Sequence, residues 1–276
     1  MAQVGFVGMG DMGAPMVSRL LERGNDEVTV YGRRDDVVSK FVARGARRAT
    51  SLEQLAESCD ILIACVFSDP QLREVAAGPH GVLEHMRADA VFVSHTTGSP
   101  SQLADFAKIA PHVRIVDGAI SGAPSDIREG RLTVLLGGDP APVEAARGVV
   151  SAYANPIIAT GPAGSAMAVK LLNNVLFAAN AQLIASAVQA AQRFGIDARL
   201  LLEALTACSG GSTAAAYVLE SGGPTEFADQ VAKFVSKDIA TAAAVAEEVG
   251  MDIDFMREVA EQGPLGLGPV DAASAL

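Results

Sequence analysis

Over the first 160 residues, short apolar runs rich in β-branched side chains alternate with stretches whose apolar positions recur every three to four residues. Val4–Val7, Val28–Tyr31, Ile61–Val66, Val91–Ser94, Ile115–Asp117, Leu132–Leu136 and Ile157–Ala159 predict strands. Helical patterns near 12–23, 35–44, 51–57, 70–76 and 100–109 separate the early ones, and Ser99-Pro100 supplies a cap followed by proline at the first helical position. Alternating β and α units imply a mostly parallel sheet covered by helices on both faces. No long helical pattern is read between the last strands, so a mixed edge is expected there.

After Gly161-Pro162 the strand signal ends. Residues 163–194, 197–207, 231–249 and 253–262 carry helical patterns, broken at Gly195, Ser209-Gly210-Gly211 and Gly222-Gly223-Pro224. This composition shift predicts two domains: 1–162, a Rossmann-like doubly wound α/β unit, and 163–276, an all-α unit built on one long helix. The tail after Gly263 reads as irregular.

Of the 276 residues 50% are hydrophobic and 19% charged, which excludes a disordered chain. A net charge of −11 argues against nucleic acid or an anionic membrane as partner. The 163–194 stretch is apolar enough to suggest a membrane span. Lys170, Asn173, Asn174, Asn180, Gln182, Ser186, Gln189 and Gln192 interrupt it, so the expectation is a buried helix. Cys59, Cys65 and Cys208 are an odd number at wide spacing and read as buried free thiols of a reducing compartment. With no leader-like segment in view, a cytoplasmic location is expected. His80, His85, His95 and His112 show no metal-ligand spacing, so no metal is expected.

The candidate chemistry lies at two places. Gly8-Met9-Gly10-Asp11-Met12-Gly13 fits G-x-G-x-x-G between a strand and a helix. The first glycine permits a tight turn, the second lets backbone approach a pyrophosphate, and the third lets helix pack on strand. The helix start offers N–H groups and a positive dipole end to phosphates. At the end of the second strand, where an NAD site carries a carboxylate, stand Gly32-Arg33-Arg34. Guanidinium groups there favour NADP over NAD, because they match a 2′-phosphate. Asp35 and Asp36 follow, which leaves open a solvent role for the arginines. The second place is the start of the long helix, where Lys170 and Asn174 are four residues apart and share one helical face. An ammonium beside a carboxamide, among Ala, Leu and Met, suits gripping a small polar substrate and exchanging a proton with it. A snorkelling lysine and an ordinary surface asparagine are the bland alternative.

Four motifs in order resemble the β-hydroxyacid dehydrogenase family, whose members include 3-hydroxyisobutyrate dehydrogenase, tartronate semialdehyde reductase and glyoxylate/succinic semialdehyde reductase. Gly5 to Met16 is similar to its cofactor signature and Asp117 to Ala123 to its substrate signature D-A-P-V-S-G-G. Gly161 to Asn174 is similar to its catalytic helix, and Lys237-Asp238-Ile239 to its K-D-L element. The resemblance spans essentially the whole chain. It implies that Lys170 is the general acid/base and that Ser121, Gly122 and Asn174 hold the substrate carboxylate. It further implies that Gly8, Met9, Gly10, Met12, Gly13, Arg33 and Arg34 bind the dinucleotide. Val66, Phe67 and Ser68 would line its adenosine side, Thr96 and Thr97 would lie near the nicotinamide, and Lys237 would close over the cofactor.

Several positions depart from the family pattern: Gly118-Ala119 for Ala-Pro, Ala123 for Gly, His95 where an Asp is frequent, and Asp126-Ile127 where small residues are usual. His95 is read as a contact to a polar substrate tail or as a structural hydrogen-bonder. The functional expectation is an NADP-preferring oxidoreductase of a short β-hydroxy acid or its semialdehyde, a homodimer or homotetramer through the helical domain. The alternatives are an imine reductase-like enzyme, which Lys170 speaks against, and a non-catalytic dinucleotide-binding protein.

Overall fold

The computed structural model describes residues 2–268. The chain divides into two compact units, one ending at Lys170 and the other beginning at Leu171. The cut falls inside a long helix, beyond the Gly161-Pro162 composition shift.

The first unit holds nine strands: β1 (Gln3–Val7), β2 (Glu27–Tyr31), β3 (Arg47–Arg48), β4 (Ile61–Ala64), β5 (Val91–Ser94), β6 (Arg114–Asp117), β7 (Ile120–Ser121), β8 (Leu132–Gly137) and β9 (Ala154–Gly161). Six of them run parallel in the order β3-β2-β1-β4-β5-β6, the first half of a doubly wound sheet and the second folded back beside it. The reversal of strand order between β1 and β4 opens a crevice at their carboxyl ends, and β1 ends directly on the glycine loop. β8 runs antiparallel to β6 and β7, while β9 pairs with β8 in parallel.

The helices of this unit are α1 (Gly13–Arg23), α2 (Asp35–Val42), α3 (Leu52–Glu57), α4 (Asp69–Ala77), α5 (Val82–His85), α6 (Pro100–Ile109), α7 (Pro124–Arg128) and α8 (Pro140–Val150). The mixed edge is present, but it is not helix-poor. α8 crosses between β8 and β9 and makes their parallel pairing possible. Its Pro140 occupies the first helical position, where a missing N–H costs nothing. One core layer gathers Val4, Phe6, Met16, Leu20 and Tyr153, and the other Leu55, Leu62, Phe92 and Phe106. A parallel sheet needs both faces covered in this way.

The long helix α9 (Ser165–Gln192) leads into the second unit, which continues with α10 (Ala198–Ala207), α11 (Thr213–Ser221), α12 (Pro224–Val249) and α13 (Asp254–Gln262). α12 starts a full two turns before the expected 231. The expected break there is real but short: Gly222 ends α11 as its left-handed C-cap, and Gly223 leads directly into Pro224 at the first position of α12. By length and composition α9 could cross a membrane, yet half of its most apolar window is buried inside the protein. Val175, Ala178, Ala181, Ile184 and Val188 supply that buried side. Its Gln182 is itself buried, donating to the Ala260 carbonyl at 2.8 Å and accepting from the Leu265 N–H at 2.8 Å. Leu176 and Leu183, one heptad apart, face outward at 49% and 58% exposure. Beyond Gly263 no helix or strand is present through residue 268, and the rest of the expected irregular tail lies outside the described residues.

All three cysteines are free thiols. Cys59 and Cys65 are withdrawn from solvent in the sheet unit, whereas Cys208, expected to be buried, is exposed at the end of α10. Desolvation pushes both sheet thiols up to about 12.

Candidate active site

The glycine loop is built by exclusion. Gly8 has φ +99°, and a Cβ there would stand 2.1 Å from the Cys65 carbonyl oxygen on β4's end. A Cβ on Gly13 would stand 2.0 Å from the Gly8 carbonyl oxygen. Gly10 differs: nothing lies within 4 Å of the Cβ it lacks. Its bareness therefore serves no neighbour among the described residues and leaves the backbone open to a ligand. α1 has no side-chain cap at its start, and the Ala14 N–H is taken by the Gly10 carbonyl at 2.9 Å. Gly10→Ala is accordingly expected to fold with unchanged thermal stability while losing about tenfold or more in dinucleotide affinity, measured by fluorescence titration. Unaltered affinity would refute a phosphate contact at Gly10.

A cleft of about 320 Å³ opens above this loop. It is lined by Gly8, Met9 and Gly10 from the loop, Arg33 and Arg34 after β2, and Val66 after β4. Met12, Gly13, Phe67, Ser68, Thr96 and Thr97 are not among its walls. Tyr31, Leu52, Gln71, Glu74 and Val75 are walls that the sequence reading missed; they come from α3, α4 and the strand end, where no motif marks them. Arg34 pairs with Asp36 at 3.0 Å, both largely exposed, and this partner raises the guanidinium's already high pKa. Arg48 holds Asp35 at 2.6 Å, so the two carboxylates after the arginines are each engaged. Thr96 Oγ1 accepts from the Val66 N–H at 3.1 Å, and Asp69 accepts from the Ser99 N–H at 2.9 Å. The loops after β4 and β5 are thus joined to each other at the rim.

At the far strands, β7 ends on Ser121, and Gly122 follows with φ +134°. Asp126 accepts from the Ala123 N–H at 2.7 Å and pairs with Arg131 at 2.8 Å, while Ile127 is fully buried. These two departures from the family pattern fix the turn after Ser121 and anchor α7. Gly118 and His95 are a second matched departure. The His95 Nδ1 lies against the Gly118 carbonyl in a very short contact, and its Nε2 lies 2.7 Å from the Tyr153 hydroxyl. A carbonyl only accepts, so Nδ1 carries the hydrogen and Nε2 accepts from Tyr153. Burial pushes the His95 imidazole down to about 4 and the Tyr153 phenol well above its usual range, so both stay neutral. His95 is the structural hydrogen-bonder of the two readings; no substrate contact is available to a side chain closed in on both nitrogens.

Asp117, at the end of β6, is fully buried, and its Oδ2 accepts from the Met167 N–H at 2.8 Å. Desolvation raises its carboxyl to about 6, against the pull of the Met167, Ala166 and Gly164 amides. Lys170 stands on the next turn of α9, half-buried. Within the second unit, Asn174 donates to Asp238 Oδ2 and accepts from Asn173 at 3.1 Å. The Lys237 ammonium lies 2.8 Å from Asp238 Oδ1. Asp238, 8% exposed, therefore orients both Asn174 and Lys237. The sequence reading placed it in a motif without a role. Among the described residues no group of three His, Cys, Asp or Glu side chains is placed to hold a metal ion.

Residues 3–161 match the family model of the NAD-binding domain of 6-phosphogluconate dehydrogenase, and residues 164–263 match that of NADP-dependent 3-hydroxyisobutyrate dehydrogenase. The chain belongs to the β-hydroxyacid dehydrogenase family. An uncharacterised oxidoreductase of Shewanella frigidimarina is 34% identical over 75% of this chain and 72% of its own length. The 2-(hydroxymethyl)glutarate dehydrogenase of Eubacterium barkeri is 32% identical over 77% of this chain and 71% of its own. In fold, the chain is similar to the 3-hydroxyisobutyrate dehydrogenase of Mycobacterium tuberculosis solved with L-serine, with a TM-score of 0.82, 23% identity and coverage of 95% and 92%. This β-hydroxyacid dehydrogenase is thus an NAD(P)-dependent oxidoreductase, and the bare backbone at Gly10 beneath an open cleft fits a dinucleotide.

Proposed function

We propose that the protein is an NADP-preferring reductase/dehydrogenase interconverting a short β-hydroxy acid and its semialdehyde. The observation that carries this reading is Lys170 itself, on α9 one turn beyond the strand-anchored helix start and one turn before Asn174. When bound, the nicotinamide supplies or accepts the hydride. Lys170 donates a proton to the substrate carbonyl oxygen in reduction and removes it from the hydroxyl in oxidation, and its charge stabilises the alkoxide between. Ser121, the backbone at Gly122 and the Asp238-oriented Asn174 hold the substrate carboxylate. Lys237 closes over the cofactor.

Arg33 and Arg34 are proposed to receive the 2′-phosphate. Both line the cleft where β2 ends, and the one carboxylate among the described lining residues is Glu74 on α4. Arg33→Ala is expected to weaken NADPH by about tenfold and NADH by less than about twofold, a charged contact being worth that much. Equal weakening of both would refute the assignment. The outward Leu176 and Leu183 support a homodimer or homotetramer through the helical unit, and a cytoplasmic location fits the free thiols.

The test is a spectrophotometric screen of NADPH and NADH oxidation against succinic, tartronate and methylmalonate semialdehydes, glyoxylate and a cyclic imine, with the reverse reaction on the matching hydroxy acids. Turnover of a semialdehyde or hydroxy acid is expected. Turnover of the imine alone, or none with cofactor bound, would overturn the proposal.

A further inference from the structure

The start of α9 carries no acidic residue in its first turn, although a helix start is the place where a negative charge is most useful. The charge comes instead from Asp117, fifty residues earlier in the chain, whose buried carboxylate takes the Met167 N–H at 2.8 Å. Two further features dock the same turn on the sheet. Ser165 Oγ lies 2.7 Å from Thr160 Oγ1 at the end of β9. Gly137, at the end of β8, leaves room for the helix: a Cβ there would stand 2.8 Å from both the Pro162 carbonyl oxygen and Ser165 Oγ. Of these contacts only the one from Asp117 is charge-assisted, and only Asp117 shares its strand end with the substrate signature, four residues before Ser121.

We propose that Asp117 is a positioning residue for proton transfer: by clamping the first turn of α9 to the end of β6, it fixes where the Lys170 ammonium stands relative to Ser121. One carboxylate thereby ties the strand that leads to the substrate grip to the helix that carries the acid/base. In this chain the Asp117–Ala123 segment thereby contributes a helix cap as well as a binding turn. The inference rests on the proposed role of Lys170.

Three variants and the native protein test it, with kcat, dinucleotide dissociation constant and melting temperature measured for each. Asp117→Ala removes the acceptor, and Asp117→Asn keeps an oxygen for the Met167 N–H without the charge. Val143→Ala, in the buried face of α8, serves as a control for general destabilisation. Asp117→Ala is expected to lower kcat about tenfold or more with the dissociation constant within about twofold, since small misplacements of a reacting group cost that much. Asp117→Asn should recover a substantial part of the lost kcat, and Val143→Ala should lose melting temperature but not kcat. Equal kcat in Asp117→Ala and Val143→Ala at comparable melting temperatures would overturn the proposal and leave Asp117 a structural residue. A Lys170→Ala protein assayed alongside separates the two levels. If it turns over normally, the acid/base reading fails and the positioning role falls with it. If it is crippled while Asp117→Ala is not, only the positioning role fails.

Discussion

Replacing Lys170 by alanine is expected to lower kcat about 100-fold or more, while the dissociation constant for the dinucleotide stays within about twofold. The separation follows from where the residues sit. Every described wall of the dinucleotide cleft comes from the strand ends and helices between Val7 and Val75, and none comes from α9. Losing Lys170 removes a proton donor and a stabilising charge from the reacting oxygen, and a hundredfold corresponds to about 2.7 kcal/mol of barrier. Lys170→Arg is expected to rescue little. Guanidinium keeps the charge but holds its proton at any physiological pH, so a role in proton exchange and a role in charge alone give different answers. Steady-state kinetics on the substrate found in the screen, with fluorescence titration of NADPH, decide it. An unchanged kcat in Lys170→Ala would remove the lysine from the mechanism.

The second large effect is structural. Gly118→Ala, which restores the residue usual in the family, is expected to destabilise the protein by about 2 kcal/mol, within the range for overpacking a filled core. The added Cβ would stand 2.8 Å from Val93 Cγ1, 2.9 Å from His95 Nδ1 and 3.1 Å from the Ser94 carbonyl oxygen. Val93 is fully buried, the Ser94 oxygen is backbone, and His95 is held at both ring nitrogens, so none of them yields cheaply. His95→Ala is expected to cost about 1–3 kcal/mol by leaving the buried Tyr153 hydroxyl without its acceptor. It also clears part of the space the new methyl needs. The double variant should therefore lose less than the two single losses added together. Urea unfolding of the four proteins measures this, and strict additivity would show that Gly118 and His95 are independent departures.

What the sequence made legible follows the range of the forces involved. The β1-α1-β2 start, the parallel pairing and the dinucleotide loop are local: each is set by apolar spacing and by glycines whose neighbours lie close in the chain or on the adjoining strand. The elements that were missed fail for local reasons too. The Gly222-Gly223-Pro224 break hides the first two turns of α12, whose first position Pro224 occupies, and α11 is hidden between two glycine clusters with Ser212 as its cap. The β7 and β3 strands are two residues each, too short to show a period. The parts of the site that stayed hidden depend on distant partners. Asp117 reads as one letter of a signature until Met167 is seen on it, and Asp238 as the middle letter of another until Asn174 is seen on it. His95 and Gly118 look like unrelated substitutions until the ring is found against the carbonyl.

The two thiols buried in the sheet unit bear on how this enzyme would meet oxidative stress. Burial pushes both up to about 12, so they stay thiols at neutral pH, and thiolate is the form that peroxides and alkylating agents attack. Cys65 contributes its carbonyl to the contact that keeps Gly8 bare, and the Cys59 sulfur packs where a Cβ on Gly5 would stand. The strand and loop at the cofactor end thus rest beside thiols that burial keeps out of reaction. Of the three thiols, Cys208 on the helical unit is the one that solvent reaches, so a thiol reagent added to the folded protein marks the helical unit and leaves the sheet thiols unlabelled.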